Sequence, residues 1–217
     1  MKNKSTPYFI FDLDDTLFYE IDFLQSGYRY ILKSYPIENK RIHLFQEMME
    51  KYHSHENVFE WLAYIFSELE IDITKEDFIK QYREHLPDIK LREDAQEFLS
   101  ELKNRDIPFG LITDGRSLTQ RNKLKALRIE SWFKDIIISE EFGSEKPDSR
   151  NYMFFYEKYP QSNFYFIGDN TKKDFIVPKQ LGWTIYCLKD KGFNIHKQDL
   201  KNLSSTEIIQ SFKEIQF

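Results

Sequence analysis

Five short runs in this sequence read as apolar on both faces: YFIF (8–11), FGLIT (109–113), DIIIS (135–139), FYFIG (164–168) and WTIYC (183–187). A strand with one wet face alternates polar and apolar residues. A strand that does not alternate is buried on both sides, as in a parallel sheet covered by helices. The intervals between the later runs supply those helices. Leu91, Ala95, Phe98, Leu99 and Leu102 follow helical spacing, as do Leu118, Leu124 and Leu127, and Tyr152, Phe155 and Tyr159. Strand–helix alternation predicts an α/β core with right-handed crossovers.

One interval departs from this rhythm. From about Tyr19 to Pro87 no strand pattern occurs. Ile21, Leu24, Tyr28, Ile31 and Tyr35 predict one helix, and Ile42, Phe45, Met49 and Tyr52 a second. Phe59, Leu62, Ala63, Phe66 and Leu69 predict a third. Thr74 stands where an N-cap would, ahead of Phe78, Tyr82 and Leu86 in a fourth. The expected organisation is a core from 1–18 and 88–217, with an inserted four-helix module at 19–87 and hinges near 18–20 and 86–91.

The chain has 217 residues, 41% hydrophobic and 31% charged with mixed signs, which suits a globular core with or without an accessory domain. Lys and Arg number 31 against 36 Asp and Glu, so there is no basic excess to recruit nucleic acid. No apolar stretch approaches the ~20 residues of a membrane-spanning helix, and Tyr8–Phe11 is too short for a signal peptide behind the basic N-terminus. The expected location is therefore the cytoplasm. The single cysteine, Cys187, excludes an intrachain disulfide and reads as buried filler; the 20 Phe and 13 Tyr read as an aromatic core.

Polar residues follow the strands. DLDDT follows the first, Thr113-Asp114-Gly115 the second, SEEFGSEKPD the third, and Gly168-Asp169-Asn170 with Asp174 the fourth. Ligands of open α/β sheets bind outside the carboxyl ends of the strands. Clustered carboxylates repel, and burial adds to the cost, so positive charge is expected among them. Asp12 and Asp169 offer oxygen ligands of the kind Mg²⁺ takes, and Lys146 a second positive charge for a phosphate. Thr113 offers a hydroxyl, and the N–H groups of Asp114 and Gly115 precede a helix where they would cradle an anion. Asp12 and Asp14, two apart, point to one side of an extended segment. One could attack phosphorus while the other protonates the leaving oxygen and then activates water.

FIFDLDDTL, LITDG, GSEKP and IGDNTKKD resemble the four motifs of the haloacid dehalogenase (HAD) superfamily, in order, over residues 8–174. The insert resembles that superfamily's C1-type cap. The resemblance implies a Rossmann-like core with strand order 5-4-1-2-3 and an aspartyl-phosphate intermediate. It implies Asp12 as nucleophile, Asp14 as general acid/base with its backbone carbonyl on Mg²⁺, and Asp169 on the metal. Thr113 and Lys146 would hold the phosphoryl group, and Asp174 would act through a metal-bound water or by orienting Lys146. Asp14 favours phosphotransfer, since carbon–halide cleavage needs no acid for the leaving group and dehalogenases of the superfamily lack that aspartate. The expected partner is a small phosphorylated metabolite, with no nucleic acid and no membrane. A phosphomutase of the same fold is the nearest rival, and a receiver-type signalling domain a remote one.

Other residues have plainer readings. Asp15 is expected as a turn residue, Lys172 and Lys173 as a solvated helix face, and His43, His53, His55, His85 and His196 as non-ligands. Tyr19, Glu20 and Arg29, near the first hinge, and Arg116, after the second motif, are the candidates for substrate selection.

Overall fold

The computed structural model describes residues 6–201 and 203–217; the basic N-terminal residues lie outside that range. Strands β1 (Thr6–Phe11), β2 (Phe109–Thr113), β3 (Ile136–Ile138), β4 (Ser162–Gly168), β5 (Thr184–Leu188) and β6 (Glu207–Ile209) form one sheet in the order β3-β2-β1-β4-β5-β6. Every neighbouring pair is parallel. The first five strands follow the order implied by the resemblance, and β6 adds an edge strand beyond it. The central strand is enclosed on both faces: Tyr8, Phe9, Ile10 and Phe11 are fully buried.

Alternate residues of β1 feed two aromatic layers. Tyr8 meets Phe155 and Phe164 on one face, with ring centroids 5.9 and 5.7 Å apart. Phe9 and Phe11 meet the edge of Phe98 on the other, at 5.4 and 6.2 Å. Much of the aromatic excess is therefore core. The layers are carried by α5 (Glu93–Asn104) and α8 (Ser149–Lys158), with α6 (Ser117–Leu127), α7 (Ser139–Phe142) and α9 (Ile176–Gln180) completing the crossovers. The first-numbered helices, α1 (Glu20–Lys33), α2 (Arg41–His53), α3 (Val58–Glu68) and α4 (Lys75–Glu84), lie between β1 and α5 in sequence.

Compactness divides the chain into two units: Asp22–Ile89, and the residues on either side of it. The helical unit has its own core, in which Tyr35 and Phe66 meet edge to face at 5.0 Å and Phe66 meets Phe78 at 5.2 Å. Thr74 starts α4 through a capping box: its hydroxyl accepts from Asp77 N at 3.2 Å, and the Asp77 carboxylate accepts from Thr74 N at 3.1 Å. His85 is a core histidine, bonded to Tyr82 O and Ser26 Oγ. Among the described residues no helix is long and apolar enough to cross a membrane.

One helix face differs from expectation. Leu118 is 51% exposed, and the inward stripe of α6 is Gln120, Lys123, Leu124 and Leu127. Two polar side chains thus point into the core unit, toward the ends of β1 and β2.

Candidate active site

The carboxyl ends of β1, β2 and β4 and the loop after β3 deliver polar side chains to a cleft of about 120 Å³. Asp12 extends β1 by one ladder bond, its N–H donating to Ile167 O at 2.9 Å. Leu17 N donates back to Leu13 O at 2.9 Å, so the chain turns at once and leaves Asp14 and Asp15 at the mouth. Asp15 sits at φ 54°, where a carboxylate side chain helps hold the turn. Its Oδ1 accepts from Glu20 N and its Oδ2 from Ile195 N, both at 2.8 Å. The expected turn residue is thus also a buried staple between two loops.

Lys146 is the central cation. Its Nζ lies 2.5 Å from Asp12 Oδ1 and 2.8 Å from Asp174 Oδ1, with the side chain 1% exposed. Burial disfavours its charge, but Asp12 and Asp174 outweigh that and hold it protonated well above the usual lysine range. Asp174 is fixed by Asn170 N, which donates to Oδ2 at 2.9 Å. Gly168 makes room for it, because a Cβ there would stand 2.5 Å from Asp174 Oδ2. Asp169 is held by Asn194 Nδ2, donating to Oδ2 at 2.7 Å, while Gln198 Nε2 donates to its backbone oxygen at 2.8 Å.

Asp12, Asp169 and Asp174 each present a carboxylate oxygen within 4.8 Å of the others. Burial pushes Asp12 up to about 7, with Asp174 and Asp14 adding to the rise against the pull of Lys146. Burial, then Asp12 and Asp174, pushes Asp169 up to about 9. Of these three buried carboxylates, Asp12 and Asp174 touch the single Lys146 ammonium, so the cluster is short of positive charge. An all-oxygen, compact donor set of this kind suits a hard divalent cation.

Asp14 faces a second cation. Lys123 Nζ donates to its Oδ1 at 2.6 Å, and Gln120 Nε2 donates to its Oδ2 at 2.9 Å. Gln120 Nε2 also donates to Thr113 Oγ1 at 2.6 Å. Asp114 is bridged to Lys173 Nζ at 2.6 Å, and its Oδ1 accepts from Lys146 N at 3.0 Å. Lys173 therefore lines the cleft rather than a solvated face, as does His196; Lys172 is exposed.

Not every expected residue reaches the cleft. Gly115 N donates to Ser139 Oγ at 2.9 Å and Ser117 N to Glu140 Oε2 at 2.7 Å. These donors at the start of α6 are taken by α7, which is why Gly115 does not offer its N–H to an anion. Gly115 keeps a structural reason: its φ is +144°, a conformation that side chains rarely adopt. Arg116 is exposed and outside the cleft lining. Tyr19 packs between the Arg92 guanidinium, 5.0 Å from its ring, and Phe193 at 5.3 Å. Arg29 belongs to the helical unit, bonded to Gln25 Oε1 at 2.9 Å and lying over the Phe45 ring. Glu20 does line the cleft, and burial with Asp14 pushes it up to about 8.

Gln120, Lys123, Asn194 and His196 are the site residues that lie outside the four motifs, and Lys173 lies within the fourth, where it reads as a solvated face. Gln120 and Lys123 carried a signal, since they are in phase with Leu124 and Leu127 on one helix stripe. Asn194 and His196 sit in an irregular segment with no periodicity.

The sequence model of the haloacid dehalogenase-like hydrolases matches residues 9–187. Glyceraldehyde 3-phosphate phosphatase of Methanocaldococcus jannaschii is 28% identical over 194 residues, covering 84% of this chain and 85% of its own. Among solved structures, the magnesium-bound HAD-hydrolase YfnB of Bacillus subtilis superposes with a TM-score of 0.66 at 20% identity, over 97% of both chains. L-2-haloacid dehalogenase of Xanthobacter autotrophicus superposes with a TM-score of 0.53 at 16% identity, over 84% of this chain and 77% of its own. At such identities these two likenesses speak for the fold.

Proposed function

This chain belongs to the haloacid dehalogenase-like hydrolases, and from that premise we propose that it is a Mg²⁺-dependent phosphatase of a small phosphate monoester. The observation that carries the choice is Asp14, two residues beyond Asp12 at the same cleft and held by Lys123 and Gln120. An alkoxide leaving from phosphorus needs a proton, whereas a halide leaving from carbon does not. The relative named for glyceraldehyde 3-phosphate supports a sugar phosphate or a metabolite of similar size.

Asp12 attacks phosphorus, forming an aspartyl-phosphate bond as the ester P–O bond breaks. Asp14 gives the departing oxygen its proton, then takes one from the water that hydrolyses the aspartyl-phosphate. Lys146 and Thr113 hold the transferring phosphoryl oxygens, and Asp174 keeps Lys146 in place across 2.8 Å. Asp12, Asp169 and the Asp14 carbonyl are the ligands we assign to Mg²⁺, with Asp174 beside them. Bound there, the ion supplies charge neutralisation for an anionic nucleophile meeting an anionic ester. Substrate selection is assigned to the helical unit as a cap, with Glu20 contributing from the cleft.

Phosphate release should be measured over a panel of sugar, nucleotide and polyol phosphates, with 2-haloacids as controls. Mg²⁺ should sustain turnover and EDTA should abolish it. Halide release without phosphate release would overturn the reading.

A second expectation concerns pH. Carboxyls whose folded pKa is raised contribute stability that is present below the unfolded value, near 3.8 for Asp, and is lost as pH rises through the folded value. In EDTA, the melting temperature should therefore fall between about pH 5 and pH 9, by roughly 5 °C or more. Mg²⁺ should raise it more at pH 9 than at pH 6. A flat profile in EDTA, or a Mg²⁺ effect that shrinks with pH, would count against the cluster as the metal site.

A further inference from the structure

Gln120 and Lys123 stand one turn apart on the inward stripe of α6, where similarly placed residues would ordinarily be apolar. Both are buried. Together they occupy both oxygens of Asp14, so the carboxylate cannot rotate without breaking a bond at 2.6 or 2.9 Å. The orientation of the Gln120 amide is dictated by its neighbour: its oxygen in that place would face a carboxylate oxygen. The NH₂ therefore points at Asp14, and its nitrogen also donates to Thr113 Oγ1. A hydroxyl has one proton to give. With its oxygen already accepting from the amide, Thr113 keeps that proton for another acceptor.

We propose that Gln120 and Lys123 are positioning residues: they fix Asp14 at the cleft and set the Thr113 hydroxyl as a donor to the phosphoryl group. This inference deepens the phosphatase reading and rests on it for its kinetic consequences. Lys123 bonds the proton-transfer partner, and its charge also bears on Glu20. Gln120 acts on both the proton-transfer partner and the anion-binding hydroxyl. The two substitutions should therefore leave different signatures.

The first measurement does not depend on turnover. A double-mutant cycle combines Asp14→Asn with Lys123→Met in the full chain and follows urea unfolding. Lys123→Met should shift the folding equilibrium about threefold or more further in the wild-type background than in Asp14→Asn. The second measurement compares glyceraldehyde 3-phosphate with p-nitrophenyl phosphate, whose leaving group needs little protonation. Lys123→Met should lose about tenfold to a hundredfold in kcat on the first and much less on the second, with Lys123→Arg recovering part of the loss. Gln120→Leu should share that split and also weaken product inhibition by inorganic phosphate about tenfold, through Thr113. Lys123→Met should leave that inhibition unchanged. No coupling in the cycle, or equal losses on both esters, would overturn the proposal. If the wild-type chain releases no phosphate but the cycle shows coupling, the phosphatase reading falls and the clamp on Asp14 stands.

Discussion

Asp12→Asn is expected to leave a folded protein whose phosphate release is at least about a thousandfold slower than wild type. An amide is a poor nucleophile toward phosphorus and a weaker ligand for a hard cation. The side chain keeps its shape, and Lys146 keeps Asp174 as a partner at 2.8 Å. Burial already pushes the Asp12 carboxyl up to about 7, so replacing it with a neutral group relieves repulsion from Asp174 and Asp14. Circular dichroism should be unchanged, and in EDTA the variant should melt no earlier than wild type. Activity above a few per cent of wild type would remove Asp12 from the nucleophile's role.

Lys146→Met should act on both stability and chemistry. The ammonium is 1% exposed and touches two buried carboxylates. Removing one partner of a buried ion pair costs about 3–5 kcal/mol, because the other charge is left uncompensated. For a chain of this size that is a fall of roughly 10 °C or more in melting temperature, measured in EDTA near pH 8. The loss should shrink as pH is lowered toward 6, since a protonated Asp12 no longer needs a cation. Phosphate release should be lost as well, with Mg²⁺ restoring part of the stability and none of the rate. An unchanged melting temperature would mean that the cluster does not depend on this lysine for its charge balance.

The two substitutions bear on residues that were legible in the sequence, and for a common reason. Asp12, Asp169 and Asp174 follow runs apolar on both faces, where polar side chains clustering after a buried strand need an explanation. Lys146 stands in the loop after another such run. The same both-sided apolarity made β1 to β5 readable. β6 has no such mark: it is three residues long and only Ile209 is buried. Gln120 and Lys123 were obscured by Leu118, whose apolar side chain suggested the wrong face for α6. The Gly115 N–H departs from the sequence expectation because nothing in the sequence says that Ser139, in a different element, accepts it. Contacts of that kind come from tertiary placement, which periodicity does not encode.

The register of β1 has a consequence for how this cleft comes into being. Phe9 pairs with Phe109 on one side and Tyr165 on the other, so the strand that ends at Asp12 is flanked only by partners remote along the chain. Closing such loops costs entropy before any pairing rewards it, which makes topologies of this kind slow to fold. The cluster of Asp12, Lys146, Asp169 and Asp174 has no precursor local to Asp12: Lys146 arrives with the loop after β3, and Asp169 and Asp174 arrive together after β4. Substitutions that weaken β1–β4 pairing far from the cleft would then reduce the yield of competent molecules during refolding, while each molecule that did finish would carry an intact site.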